Sequence, residues 1–160
     1  MQPLKILLFL FLCLATFLPA TAQLNVYRFE EIDSLQRIAP RPVFVFIHTD
    51  WCRYCAQMKA TTLKDKKVVE QLNSKVYFVS FDAESRETIS FYGATFKYRP
   101  TGNGTGSNEL AGLLGTIDGQ MALPGICILN SKGEIGFQYG GALPAKDLKR
   151  LLHALPAEEL

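Results

Sequence analysis

The chain has 160 residues, with 17 basic and 15 acidic side chains and a formal net charge of +2 at pH 7. A charge this close to neutral argues against nucleic acid or an anionic membrane as a partner selected by bulk electrostatics. The length allows one domain with a substantial core and is too short for two ordinary domains.

Residues 1–22 have the pattern of an export signal. Lys5 supplies a positive n-region, residues 6–18 an apolar h-region, and Ala20-Thr21-Ala22 an A-x-A cleavage site before Gln23. The apolar run is shorter than the roughly 20 residues of a membrane span. We therefore predict cleavage, a periplasmic or secreted protein and no stable membrane insertion afterwards, with an uncleaved anchor as the alternative.

Cleavage would leave one domain at residues 23–160 and three of the four cysteines, namely Cys52, Cys55 and Cys127. Only one internal disulfide can then form at a time. An exported protein with a single pair is not a disulfide-stapled scaffold. Since Lys5 is the only charged residue of the signal, 16 basic and 15 acidic residues remain.

Apolar periodicity predicts the elements of the first half of the domain. Residues 29–38 read as an amphipathic helix that ends before Pro40. Residues 43–47, Val-Phe-Val-Phe-Ile, lack polar alternation and predict a strand buried on both faces of a sheet. A helix over about residues 52–60 follows, and Asp65 can cap the next helix.

The second half continues with strands and a final helix. Residues 76–81 predict a strand, and residues 125–129 and 134–139 flank an Asn-Ser-Lys-Gly turn, which predicts a hairpin. Pro144 opens an amphipathic last helix. The predicted order is β-α-β-α-β, a less regular segment, and then β-β-α.

The irregular segment is residues 84–123. Aromatic residues on both sides of Gly93-Ala94 predict a small hairpin, and residues 101–107 read as a flexible loop rich in Gly, Asn and Thr. Either Ser107 or Asn108 can cap a short helix beyond it. The glycines of this loop do not complete a phosphate-binding fingerprint.

The stretch Trp51-Cys52-Arg53-Tyr54-Cys55 carries the chemistry. If a helix begins at Cys52, Cys55 lies one turn later on the same face, within disulfide reach. The free amides and positive end of the helix dipole favour a thiolate at Cys52, and such settings lower a cysteine pKa from about 8.5 to between about 3.5 and 7.5. The motif predicts a nucleophilic thiol near neutral pH.

Together these features resemble the thioredoxin superfamily. The strand, Trp-Cys-x-x-Cys at a helix start, Leu123-Pro124 before a strand hairpin, and Gly141-Ala142-Leu143 before the last helix carry the likeness. Residues 48–52 and 62–69 are more closely similar to exported bacterial thioredoxin-like proteins and the DsbD C-terminal periplasmic domain. The resemblance implies a single-domain α/β fold, with a central mixed sheet flanked by helices and residues 84–123 as an insertion before the cis-proline strand.

The resemblance also implies an activity, thiol-disulfide oxidoreductase. Cys52 would attack and Cys55 would resolve the mixed disulfide, exchanging electrons with protein disulfide or dithiol substrates, with the protein acting as a reductase or electron carrier. A membrane or soluble thiol would donate electrons, and no cofactor is implied. A static disulfide is the alternative for the pair, but so short a loop constrains little chain entropy and makes a poor staple.

The likeness assigns further positions to substrate binding: Trp51, Arg53, Tyr54, Leu123 and Pro124. The likeness also implies that the Leu123-Pro124 peptide bond is cis and faces the cysteines, where the backbone of Leu123 would pair with an extended substrate. Gly125 departs from the threonine that often follows this proline. Arg53 would stabilise a thiolate whereas Asp50 opposes it, so the direction of electron flow stays open.

Other residues depart from the family pattern or compete with it. Thioredoxin's buried aspartate and its lysine on the next strand correspond here to Phe46 and Phe78. His48 is either a nearby base or, more commonly at a strand end, a hydrogen-bonded structural histidine. Cys127 reads as an inert buried residue. The Cys-x-x-Cys pair lacks the second cluster of a structural metal site, so no metal is predicted.

A function of another class stays open alongside the enzymatic one. The aromatic hairpin and flexible loop of the 84–123 segment could dock a partner, with the cysteine pair regulatory or non-catalytic. The same hairpin could equally cover a sheet edge.

Overall fold

The computed structural model describes residues 23–155. The predicted export signal at residues 1–22 lies outside the described residues, as do residues 156–160. None of the helices in the described range is both long and apolar enough to cross a membrane.

The described residues form five α-helices and ten strands. The helices are α1 (Phe29–Ile38), α2 (Arg53–Ala60), α3 (Lys66–Lys75), α4 (Glu109–Gly115) and α5 (Ala145–Ala154), with a 3₁₀ turn at Thr62–Lys64. The strands are β1 (Val43–His48), β2 (Tyr77–Asp82), β3 (Ile89–Phe91), β4 (Ala94–Phe96), β5 (Tyr98–Pro100), β6 (Gly106–Asn108), β7 (Thr116–Ile117), β8 (Gln120–Met121), β9 (Gly125–Leu129) and β10 (Ile135–Gly140).

Four strands form the central mixed sheet in the order β10-β9-β1-β2. β1 runs parallel to β2 and antiparallel to β9, and β9 and β10 form an antiparallel hairpin. All six residues of β1 are buried, as its continuous apolar run predicts. The fold is the expected single-domain α/β arrangement with a central mixed sheet.

The sheet separates two buried apolar clusters, because successive side chains of a strand point to opposite faces. Val43, Val45 and Ile47 join one cluster, which also contains residues of α1 and α4. Phe44 and Phe46 join the other, which contains residues of α2, α3 and α5 together with both motif cysteines. The cysteine pair therefore belongs to the core on the α2 side.

Local sequence signals explain several element boundaries. The Asp65 carboxylate accepts the backbone N–H groups of Lys67 (3.0 Å) and Val68 (3.1 Å), which makes it the predicted cap of α3. Asn108 caps α4 by accepting the Leu110 N–H at 3.0 Å. Of the two candidate caps for that helix, Asn108 is therefore the one used.

The 84–123 segment contains more strand than the sequence suggested. The predicted aromatic hairpin is β3–β4, and Tyr92 (φ 46°) and Gly93 (φ 75°) form its turn in the left-handed region. A second hairpin, β5–β6, includes residues 106 and 107, which the sequence placed in a loop. A third small hairpin, β7–β8, precedes β9.

Candidate active site

The two motif cysteines are joined by a disulfide at the N-terminus of α2. Their Cα atoms are 5.2 Å apart, and three positions separate them in sequence. The helix begins at Arg53, so Cys52 is its N-cap residue and not, as the sequence suggested, its first residue. The Cys52 Sγ accepts the backbone N–H of Cys55 at 3.2 Å. One sulfur thus receives an amide that the helix leaves unpaired.

The side chains around the disulfide differ in exposure. Cys52 retains 6% and Cys55 1% of its accessible surface, whereas Trp51 is 68% and Tyr54 64% exposed. Arg53 is also exposed. Two large aromatic side chains therefore surround a nearly buried disulfide, an arrangement that offers amphipathic contact area for another molecule.

The exposed Trp51 ring is held in place by a residue of the 84–123 segment. Its indole Nε1 donates a hydrogen bond to Glu84 Oε1 at 3.1 Å. Glu84 follows β2 by two residues, and its backbone N–H is in turn bonded to the Asp82 carboxylate at 3.0 Å. The start of that segment is thereby attached to the cysteine motif.

The Leu123–Pro124 peptide bond is cis. Leu123 is half-buried and packs against the apolar cluster that contains Cys52 and Cys55. The Pro124 carbonyl accepts the Gly141 N–H at 2.8 Å, which ties this turn to the end of β10. The structure thus brings Leu123 to the cluster that holds the cysteines, although some 70 residues separate them in sequence.

His48 lies in a polar cluster at the carboxyl end of β1. It is 7% exposed, its Nε2 is 3.0 Å from Ser80 Oγ, and both ring nitrogens are 3.1 Å from Lys59 Nζ. Burial lowers the pKa of His48 from 6.5, and the Lys59 ammonium lowers it further. Asp82 and Asp50 oppose the shift. The ring is therefore neutral at pH 7 and can accept a hydrogen bond from Lys59.

The remaining sequence candidates take structural positions. Phe46 and Phe78 are buried, and Phe78 stacks on Phe44 at a centroid distance of 5.7 Å. Cys127 is fully buried in β9, and burial raises the pKa of its thiol to about 12. No group of three or more potential metal ligands occurs within residues 23–155.

The site therefore combines a disulfide at a helix N-terminus, two exposed aromatic side chains beside it, and a residue next to a cis proline that packs against the cluster containing the cysteines. Such a site defines a thiol-disulfide redox class of protein. Residues 35–156 match the family described as thioredoxin-like domain, and the chain belongs to that family. Comparison with curated protein sequences finds no match.

Solved structures provide neighbours of the same fold. The DsbH oxidoreductase superposes with a TM-score of 0.58 at 15% identity, covering 87% of this chain and 90% of its own. A thioredoxin from Thermus thermophilus superposes with a TM-score of 0.58 at 22% sequence identity, covering 82% of this chain and 85% of its own. The reduced DsbD C-terminal domain of Neisseria meningitidis superposes with a TM-score of 0.52 at 21% sequence identity, covering 78% of this chain and 90% of its own. At these identities the likeness concerns the fold alone.

Three residues beside the motif were not among the sequence candidates. Glu84 holds Trp51, while Lys59 and Ser80 surround His48. Lys59 lies one helical turn after Cys55, so its spacing was a usable signal. Glu84 and Ser80 come from other elements, and no local pattern places them near the motif.

Proposed function

We propose that this protein is an exported thiol-disulfide oxidoreductase that exchanges the Cys52–Cys55 disulfide with protein substrates, as a reductase or electron carrier. The observation that carries the proposal is the disulfide at the N-terminus of α2 within a thioredoxin-like domain. The ring that it closes contains only four residues, so its contribution to fold stability is at the low end for a disulfide. A pair whose opening leaves the domain folded is suited to reversible exchange.

The roles of the two sulfurs follow from their surroundings. Cys52 is the more accessible of the two residues, and the Cys55 amide and the helix N-terminus both favour negative charge on its sulfur. Cys55 is enclosed by the apolar cluster on the α2 side. We therefore assign Cys52 as the attacking thiol and Cys55 as the resolving thiol.

Exchange then proceeds in two displacements. The Cys52 thiolate attacks one sulfur of a substrate disulfide, which forms a mixed disulfide and releases the other substrate sulfur as a thiolate that takes a proton. The Cys55 thiolate next attacks Cys52 Sγ, which forms the internal disulfide and releases the second substrate thiolate. Two electrons pass to the substrate, and a membrane or soluble dithiol returns two electrons to the protein.

The substrate would bind across the exposed side chains of Trp51, Arg53 and Tyr54, with the half-buried Leu123 and the buried Pro124 contributing through the turn they form. The exposed rings of Trp51 and Tyr54 offer apolar area at little cost in side-chain entropy. The turn at Leu123 offers backbone for pairing with an extended peptide. Arg53 adds positive charge beside the attacking sulfur.

Reduction of insulin disulfides in the presence of a chemical dithiol tests this proposal. We expect catalysed reduction by the wild-type protein and uncatalysed rates for Cys52→Ala, since the attacking thiol is lost. Cys127→Ala is the matched control, because its thiol is buried and weakly acidic. Equal rates of insulin reduction by the wild-type protein and Cys52→Ala would contradict the proposal.

Export and the direction of electron flow are tested separately. Export is supported by the signal pattern at residues 1–22, and N-terminal sequencing of the mature protein should give Gln23 as its first residue. Retention of Met1 in a cytoplasmic fraction would contradict export. A redox titration of the cysteine pair should give a strongly reducing potential if the protein is a reductase, and a high potential would instead indicate an oxidase or isomerase.

A further inference from the structure

A groove of about 640 Å³ lies on the α2 side of the sheet at β2, which is an edge strand of the central sheet. It is enclosed by the chain before α1, the end of α2, the 3₁₀ turn and the start of α3. Five apolar side chains line it, namely Leu24, Val26, Leu63, Val69 and Phe78. This volume lies within the range of about 300–1,000 Å³ that is usual for small-molecule binding sites.

The polar lining of this groove is cationic. Lys59, Lys64 and Lys66 all line it, and no aspartate or glutamate does. Within the part of the chain that the structure describes, none of the three lysines forms an ion pair. Lys64 and Lys66 are exposed, whereas Lys59 contacts the His48 ring. The chain itself therefore leaves this positive charge unneutralised.

We propose that this groove, which we call the lysine groove, binds a small amphiphilic anion, with an apolar chain on its walls and a carboxylate or phosphate head between the lysines. A neutral apolar ligand would leave the ammonium groups without counter-charge. A small inorganic anion would leave Val26, which is 56% exposed, and the half-buried Leu24 in contact with water. The volume favours such a molecule over an acidic polypeptide, which needs a longer surface.

The lysine groove is connected to the redox site through one side chain. Lys59 lies one turn after Cys55 on α2 and contacts both ring nitrogens of His48. The other charges that act on His48 are those of Asp82 and Asp50. An anion beside Lys59 offsets the positive charge that disfavours imidazolium, so occupancy should raise the pKa of His48.

Backbone-amide NMR titration of the full protein with octanoate and with octyl phosphate tests the proposal. We expect saturable shifts at Ser80 and Val69 for at least one of the two, and the tighter of them identifies the head group. Acetate and 1-octanol, which supply the head or the chain alone, should bind about tenfold more weakly or worse. The His48 pKa, followed by imidazole NMR, should rise when the groove is filled.

Paired variants localise the binding. Lys64→Gln/Lys66→Gln should weaken octanoate or octyl phosphate binding roughly tenfold, because each of these exposed lysines contributes about a few-fold to affinity. Lys146→Gln/Arg150→Gln, which removes two exposed cations of α5 outside the groove, should leave it unchanged. Equal affinity for 1-octanol, full affinity in the Lys64/Lys66 variant, or binding only of a glutamate-rich peptide would each overturn the proposal. Because none of these readouts uses thiol exchange, their failure would not affect the proposed oxidoreductase activity.

Discussion

Reduction of the Cys52–Cys55 disulfide should lower the free energy of unfolding by only about 2 kcal/mol. The bond joins residues three apart, so it closes a loop of four residues. The chain-entropy treatment gives about 6 cal/mol/K for that loop, or about 1.9 kcal/mol at 25 °C. With an unfolding entropy of about 2.1 cal/mol/K per residue, a domain of this size should lose about 7 °C in Tm.

Differential scanning calorimetry with and without a phosphine reductant measures this shift. The Cys52→Ser/Cys55→Ser variant is the control, since it should melt near the reduced wild type and not respond to reductant. A fall in Tm of more than about 15 °C, or loss of the folded state on reduction, would show that the disulfide is a structural staple. Such a result would contradict a role of the disulfide in reversible exchange.

Three further variants test the surroundings of the motif. Glu84→Ala removes the hydrogen bond to the Trp51 indole, so it should slow insulin reduction several-fold and leave reduction of a small aromatic disulfide unchanged. Glu87→Ala is the control. Equal slowing with both substrates would contradict a role of Glu84 in positioning Trp51. The pKa of His48 is lowered from 6.5 in the folded protein, so the unfolded chain protonates this histidine more readily. The free energy of unfolding should therefore be higher above pH 6.5 and should fall as the pH falls below it. His48→Gln should therefore reduce the loss of unfolding free energy between about pH 7 and pH 5 in urea titrations, and an unchanged loss would contradict it. Cys127→Ala should retain wild-type insulin reduction, and native Cys127 should resist alkylation until the protein unfolds; rapid labelling in the folded state would contradict its burial.

Local patterns predicted the elements whose information lies within one segment. The continuous apolar run of β1 and the Asp65 cap of α3 are of this kind, because burial on both faces and capping each depend on a few adjacent residues. The spacing of Cys52 and Cys55 predicted the cysteine pair, and the resemblance to thioredoxin supplied the topology. The fold class predicted in that way is confirmed.

Contacts between distant elements could not be predicted from the same patterns. The pairing of β5 with β6 depends on which short polar stretches meet across a loop, and Gly106 gives no strand signal of its own. The Trp51–Glu84 hydrogen bond joins residues 33 positions apart. The lysine groove is lined by three stretches of chain, within residues 23–26, 59–69 and 78–80, and no local pattern brings these together.

The assignment of Cys52 as the attacking sulfur is tested most directly by trapping the mixed disulfide. Cys55→Ala cannot resolve it, so reduced Cys55→Ala incubated with insulin whose disulfides are intact should accumulate a covalent adduct in which Cys52 has displaced one insulin sulfur as a thiolate. Mass spectrometry of proteolytic peptides locates the adduct. We expect the substrate to be attached to Cys52. Attachment to Cys127, or no adduct at all, would contradict it.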